Sequence, residues 1–70
     1  MENSKPVKRG DIIEVKIIDE GENFTGITRF NNFVVIINGA LVGNSYLVEI
    51  KKVFPKYAIA EIVQRLNRKN

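Results

Sequence analysis

Aromatic and basic side chains alternate along two short stretches of this 70-residue sequence, and they are the residues best suited to binding chemistry. The first stretch, residues 22–37, contains three phenylalanines and one arginine: Phe24, Arg29, Phe30 and Phe33. The second, residues 51–57, contains three lysines and two rings: Lys51, Lys52, Phe54, Lys56 and Tyr57. Cations contact phosphates and rings stack on unpaired bases, so this interleaving is typical of surfaces that bind single-stranded nucleic acid.

Catalysis and metal binding find little support in the sequence. It contains no histidine and no cysteine, which removes the commonest general base and the thiolate ligands of zinc. The acidic residues Asp19, Glu20 and Glu22 do not have the spacing of a calcium-binding loop, and no glycine-rich phosphate loop with its lysine is present. We therefore expect a protein that is not an enzyme and carries no metal or cofactor.

Composition indicates one small folded domain. Hydrophobic residues make up 44% of the chain and charged residues 27%, a balance that favours folding over disorder. The longest apolar run, residues 33–37, is too short to span a bilayer, and residues 1–6 do not form a signal peptide. We expect a cytoplasmic monomer with a flexible arm at residues 1–6, a folded domain at residues 7–64 and a basic tail at residues 65–70.

Charge is unevenly distributed along the chain, although the net charge is only +3. Lys8 and Arg9 near the start and the lysines and arginines after residue 50 flank an acidic early segment. If the fold brings these two basic ends together, they form one positive face. The alternative is a solvated surface of scattered lysines with a basic tail.

Hydrophobic alternation predicts five short strands, at residues 12–18, 24–30, 33–37, 46–53 and 57–63. Ile13, Val15 and Ile17 alternate with polar residues, as in a half-buried strand. The apolar run at 33–37 suggests a strand buried on both faces or covered by a partner. The last segment could be helical, but seven residues between a proline and a polar tail make a weak helix.

Five short strands with glycine-containing connections predict a closed or nearly closed barrel. Closure would protect the edges of the apolar strand at residues 33–37. Asn31-Asn32 suits a two-residue hairpin turn, which would make Phe30 and Phe33 cross-strand neighbours on one face. Tyr46 and Tyr57 are expected to be structural, and residues 38–44 to form a connection with room for a helical turn.

Three motifs resemble the TRAM domain family. They are RGDIIEVKIIDEG at residues 9–21, GITRFNNFVVIINGALVGN at residues 26–44 and VEIKKVFPKYAIAEIV at residues 48–63. They occur in the order of the family pattern, and the resemblance covers about four-fifths of the chain. In one departure, Phe24 stands where the family often has the first glycine of a glycine-x-glycine loop.

The resemblance implies an all-β, five-stranded OB-like barrel that binds RNA. TRAM domains are often joined to enzymes that modify tRNA or rRNA, and stand-alone archaeal copies behave similarly to cold-shock proteins. We therefore expect an RNA chaperone that binds single-stranded or loosely structured tRNA, rRNA or mRNA with little sequence specificity. The alternative is an adaptor that docks onto an RNA-modifying enzyme or ribosomal component through residues 33–37.

Ten residues are candidates for contact with nucleic acid: Lys8, Arg9, Phe24, Arg29, Phe30, Phe33, Lys51, Lys52, Phe54 and Lys56. Each ring could instead be part of the core, because a chain with only six aromatic residues usually buries them. Phe30 and Phe33 can plug the core or lie open for stacking, and Arg29 together with the family resemblance favours at least one open ring. Phe24 is expected to be exposed or to cover the barrel mouth, and the lysines can snorkel over a hydrophobic corner.

Overall fold

Six β-strands and no helix form the part of the chain that the computed structural model describes, residues 7–66. They are β1 (Ile12–Lys16), β2 (Asp19–Glu20), β3 (Thr25–Phe30), β4 (Phe33–Asn38), β5 (Ser45–Val53) and β6 (Tyr57–Leu66). All six belong to one sheet in the order β1-β5-β6-β4-β3-β2. Neighbours are antiparallel except β4 and β6, which are parallel. Within these residues, no helix exists that could cross a membrane.

The sheet curls into an OB-like barrel because its two outermost strands, β1 and β2, follow each other in the chain. β1 pairs with β5 at one edge, and β2 pairs with β3 at the other. Between them, the Ile17 amide donates to the Asn44 carbonyl at 3.0 Å and the Ile18 amide donates to the Ile27 carbonyl at 3.0 Å. One continuous segment therefore runs from one edge of the curled sheet to the other and holds the two edges near each other.

The strand count is six, so the prediction of five strands was wrong in one respect. The predicted first strand at residues 12–18 ends at Lys16, and pairing resumes at Asp19–Glu20, which the sequence suggested was a loop. The break occurs because the Ile17 amide bonds to Asn44, just before β5, whereas the Ile18 amide bonds to Ile27 in β3. The fold remains the predicted all-β barrel, with its first strand divided in two.

The last segment is a strand, as predicted, but it is longer than the sequence indicated. β6 extends to Leu66 and pairs with β5 through Tyr46–Arg65 and Ser45–Leu66. Residues 65 and 66 therefore belong to the sheet rather than to a tail. The remainder of the predicted tail and the predicted arm at residues 1–6 lie outside the described residues. The connection at residues 39–44 contains turns but no helical turn.

The core consists of the inward side chains of the strands. Val15 and Ile17 of the alternating first strand are buried while Ile13 is only partly so, and eight core residues are no more than 6% exposed: Val15, Ile17, Val35, Ile37, Val48, Ile50, Ala58 and Ala60. Tyr46 is 3% exposed, and its hydroxyl accepts a hydrogen bond from the Leu41 amide at 3.0 Å, which confirms its structural role.

Burial in β4 alternates, which corrects the expectation of a strand buried on both faces. Phe33, Val35 and Ile37 are buried, whereas Val34 and Ile36 are half-buried on the outer face. The outer side chains of β4 therefore contribute to a surface.

Candidate nucleic-acid interface

The turn between β3 and β4 and the turn between β5 and β6 lie at the same end of the barrel. β4 and β6 run parallel, and Val34 at the start of one is in register with Tyr57 at the start of the other. Asn31 and Asn32 have φ values of 53° and 67°, which form the predicted two-residue turn. The parallel pair thereby brings the two aromatic and basic stretches of the sequence together.

Two rows of side chains cross the outer face of the sheet near this end. The first row joins β3, β4 and β6: Arg29, Val34 and Tyr57. The second joins β3, β4, β6 and β5: Ile27, Ile36, Ile59 and Lys52. The apolar members are half-buried, while the arginine and the lysine are exposed. A partly covered apolar stripe therefore lies between Arg29 and Lys52. We call the seven residues of the two rows the outer face.

A bulge in β5 turns two consecutive lysines outward. Ile50 pairs with Ala60 and Lys52 pairs with Ile59, so Lys51 is an extra residue without a partner in the ladder. Strict strand alternation would direct one of the two lysines inward, whereas a bulge lets both reach solvent. Both are exposed.

The N-terminal basic pair is fixed beside this bulge. The Gly10 amide donates to the Ile50 carbonyl at 2.7 Å, and the Ile50 amide donates to the Asp11 carbonyl at 2.8 Å. The Asp11 carboxylate also accepts a hydrogen bond from the Lys8 amide at 2.8 Å, which closes the turn that carries Arg9. The structure therefore joins the basic start of the chain to the later lysines on one face.

An open groove of about 610 Å³ lies between the N-terminal turn and the bulge in β5. Its lining includes three cations and two carboxylates: Arg9, Lys51, Lys52, Glu49 and Glu61. The Lys51 ammonium lies 3.5 Å from a Glu49 carboxylate oxygen and 4.0 Å from one of Glu61. These pairs are solvent-exposed and contribute little stability, but they reduce the charge that Lys51 presents. Within residues 7–66, no ion pair involves Arg9 or Lys52.

Phe30 and Phe33 form the core plug and not an open stacking surface. They are in register across the hairpin, and both lie on the inner side of the sheet. Phe33 is 9% exposed, and Phe30 is partly buried against the core. Of the two candidate rings, Phe33 is closed to a ligand because it shares a strand face with the buried Val35 and Ile37, while Phe30 keeps part of its surface exposed.

The accessible aromatic surface at this end comes from Phe54 and Tyr57. Their ring centroids are 4.8 Å apart with an interplanar angle of 22°, and both residues are half-buried. Exposed Pro55 and Lys56 lie between them. The sequence favoured the core for Tyr57, but the inward Ala58 forces its neighbour onto the outer face.

Phe24 is 88% exposed, so of the two alternatives it is the exposed ring and not a plug over the barrel mouth, but it lies at the other end of the barrel. Its carbonyl accepts a hydrogen bond from the Gly39 amide at 2.8 Å, just beyond the end of β4. The exposed carboxylates of Asp19, Glu20 and Glu22 precede it in the chain. The structure therefore does not bring Phe24 together with the other candidate residues.

The remaining candidates converge around the outer face. Six predicted residues lie there, at the two turns beside it or in the adjoining groove: Arg9, Arg29, Lys51, Lys52, Phe54 and Lys56. Lys8 lies in the N-terminal turn that carries Arg9. Sequence reasoning missed Tyr57, Ile36 and Ile59, although the inward alanines of β6 and the alternation of β4 were signals for them. Across residues 7–66, no group of three carboxylate, histidine or cysteine side chains could hold a metal ion.

A curled OB-like sheet with cations and a stacked aromatic pair on its outer face is the architecture of small nucleic-acid-binding barrels. Residues 6–63 match the sequence model of the TRAM domain. The chain belongs to the TRAM domain family, and this membership indicates RNA binding.

Relatives of known sequence and structure agree with this assignment. The chain is 44% identical over 59 residues to a ribosomal RNA large subunit methyltransferase E of Haloarcula marismortui, a match covering 84% of this chain and 22% of that protein. It is 39% identical to an uncharacterised protein of Methanocaldococcus jannaschii, covering 80% and 73% of the two chains. The solution structure of a conserved Methanococcus maripaludis protein superposes with a TM-score of 0.81 at 38% identity, covering 86% of each chain. The chain thus spans less than a quarter of the methyltransferase it matches.

Proposed function

We propose that this protein binds single-stranded or loosely structured RNA with little sequence specificity and acts as an RNA chaperone. The observation that carries the proposal is the outer face, where Arg29, Tyr57 and Lys52 are held in register around an apolar stripe. Family membership and the RNA methyltransferases among the relatives support it. We also propose that the protein is a cytoplasmic monomer without catalytic activity.

Binding would use charge for the backbone and apolar surface for the bases. Exposed Arg9, Arg29 and Lys52 contact phosphates, and the Phe54–Tyr57 pair offers ring surface for stacking, worth about 1–3 kcal/mol per base. The apolar stripe between the cations consists of isoleucine and valine, which contact bases without reading their edges. Low sequence specificity follows from this composition.

Chaperone activity would follow from preferential binding to unpaired strands. A protein that binds the unpaired state more tightly shifts the RNA folding equilibrium by mass action and needs no ATP. The Phe54–Tyr57 pair at the edge of the outer face suits this role because its rings can stack only on bases that are not already stacked in a duplex.

The binding proposal is tested by titrating a labelled single-stranded RNA at several salt concentrations. Arg29→Ala and Lys52→Ala should each weaken binding about threefold to tenfold and reduce the salt slope by about 0.7, as expected for the loss of one phosphate contact. Tyr57→Phe should leave affinity nearly unchanged, and Tyr57→Ala should weaken it through lost stacking. Salt-independent binding would contradict the proposal.

The matched control for these variants is Arg65→Ala, which removes the same charge. Arg65 is exposed near the end of β6 and pairs with Tyr46, far along the strand from Tyr57. Its replacement should change RNA affinity less than twofold. An equal loss for Arg65→Ala and Lys52→Ala would show that net charge, and not the outer face, determines binding.

The chaperone step has a separate test that uses an RNA hairpin labelled with a fluorophore and a quencher. Addition of the wild-type protein should lower the melting temperature of the hairpin, and Tyr57→Ala should weaken this effect. Equal affinity for the hairpin and for the unpaired strand would refute the chaperone role while leaving RNA binding intact.

The adaptor alternative would use the strand at residues 33–37 as its docking surface, and that strand exposes little apolar area. Phe33, Val35 and Ile37 are buried, so the strand at residues 33–37 offers a partner only Val34 and Ile36, both half-buried. A pull-down after nuclease treatment discriminates the two functions, because adaptor partners would persist without RNA.

A further inference from the structure

The end of the barrel opposite the two hairpin turns exposes several large apolar side chains. Three residues there are about half exposed or more: Phe24 at 88%, Leu41 at 61% and Val42 at 49%. A backbone hydrogen bond brings their two segments together, since the Gly39 amide donates to the Phe24 carbonyl at 2.8 Å. We call these three residues the apolar cap.

Phe24 occupies a backbone conformation that suits glycine better. Its φ is 61° and that of Asn23 is 57°, both in the left-handed region, which is unfavourable for a bulky side chain. The tight loop is closed by the Gly21 amide, which donates to the Thr25 carbonyl at 2.9 Å. A ring that is 88% exposed adds almost nothing to the core in return for this strain. Its apolar surface is therefore available for contact outside the chain.

The charge beside the cap determines which partner it suits. Glu20 at the end of β2 and Glu22 in the loop that carries Phe24 are both exposed, and residues 17–28 contain no lysine or arginine. A polyanion such as RNA is repelled there, and a second copy meeting cap to cap would oppose like charges. A cationic partner gains attraction from the carboxylates and apolar contact from the ring.

We propose that the apolar cap is a docking site for a basic protein segment that carries an apolar anchor residue. The anchor packs against Phe24, and the flanking lysines or arginines face Glu20 and Glu22. Because the cap and the outer face lie at different ends of the barrel, RNA and this partner can bind at the same time. The proposal is independent of the RNA chaperone role.

A nitrogen-15 amide titration with a synthetic peptide tests the proposal. The probe is a short lysine-rich peptide with two central leucines, and its controls replace either the leucines by serine or the lysines by glutamate. The probe should give saturable shifts of the amides of residues 18–25 and 39–43, and both controls should bind at least tenfold more weakly. Shifts centred on the outer face, or no saturable shift, would overturn the proposal.

Phe24→Gly separates docking from folding, because glycine adopts this backbone conformation without strain. The variant should lose at least tenfold in peptide affinity and keep RNA affinity within twofold. Ile12→Ser, at another exposed apolar residue that is 57% exposed on β1, should bind the peptide as wild type does. Three results would each overturn the assignment to a basic protein segment. They are equal losses of peptide affinity for the two variants, a loss of RNA affinity with Phe24→Gly, and self-association of the wild type that Phe24→Gly abolishes.

Discussion

The direction of single side chains decides which rings can meet a ligand. Phe33 and Tyr57 lie near one another at the starts of two parallel strands, yet one faces the core and the other the outer face. The difference follows from strand alternation, since successive side chains point to opposite faces of the sheet. Phe33 lies two residues before the fully buried Val35 and shares its face, whereas Tyr57 lies one residue before the fully buried Ala58 and takes the opposite face. At the residue scale, strand alternation locates the site better than residue type does.

Strain at Phe24 leads to a stability prediction. Phe24→Gly should raise the free energy of unfolding by about 1 kcal/mol, because relief of the left-handed backbone exceeds the entropy that glycine adds to the unfolded chain. Urea unfolding followed by circular dichroism measures the change. Phe24→Ala removes the ring but keeps the strained φ, so it should give no such gain. A gain of the same size from alanine would show that the ring, and not the backbone, carries the cost.

At the scale of the element, the strands were predictable and their irregularities were not. Alternating apolar residues indicated the five segments, and Asn31-Asn32 indicated the turn between β3 and β4. The break at Ile17–Ile18 and the bulge at Lys51 depend on which strands become neighbours, information that a single strand's pattern does not hold. The same limit applies to the site, because the sequence identified its cations but not the parallel pairing that aligns Arg29 with Tyr57.

The close approach of β3 to the connection after β4 makes Gly26 irreplaceable. A Cβ there would lie 2.8 Å from the Cβ and 2.8 Å from the carbonyl oxygen of Ala40, and 2.9 Å from Ile17 Cγ2. Gly26→Ala should therefore lower the free energy of unfolding by about 2–3 kcal/mol, measured by urea denaturation. Gly39→Ala is the control, since its Cβ meets open space and only its φ of 78° opposes alanine. Equal losses at the two positions would contradict the steric explanation.

Barrel closure depends in part on one buried hydroxyl. Thr28 is 3% exposed, and its Oγ1 donates to the Lys16 carbonyl at 2.7 Å, which ties β3 to the end of β1. Thr28→Val keeps the shape but leaves that carbonyl without this donor, so it should cost about 1–3 kcal/mol of unfolding free energy. Hydrogen exchange should also be faster at the Ile18 amide, which donates across the same junction. Thr28→Ser keeps the donor and should protect Ile18 as wild type does.

At the scale of the whole molecule, charge is divided between the two ends of the barrel. The groove beside the outer face contains Arg9, Lys51 and Lys52, while Glu20 and Glu22 lie beside the apolar cap. A net charge of +3 therefore understates the positive potential near the outer face. The same division permits an acidic end that attracts a basic partner.

This division makes RNA affinity depend on where a charge is changed and not only on how many charges change. Replacing Glu49 and Glu61 by glutamine frees Lys51, whose ammonium lies 3.5 and 4.0 Å from their carboxylate oxygens. We expect tighter RNA binding by about threefold to tenfold at low salt, and a salt slope steeper by about 0.7, because Lys51 gains a phosphate contact.

The matched double variant Glu20→Gln with Glu22→Gln adds the same two units of positive charge beside the loop that carries Phe24, at the other end of β3. Exposed charges separated by more than a Debye length, about 8 Å at physiological salt, are largely screened, so this variant should change affinity less than twofold. Fluorescence titration of a labelled single-stranded RNA measures both. Equal gains in RNA affinity from the two variants would mean that affinity depends on the total charge of the barrel. That result would contradict the assignment of the outer face as the binding surface.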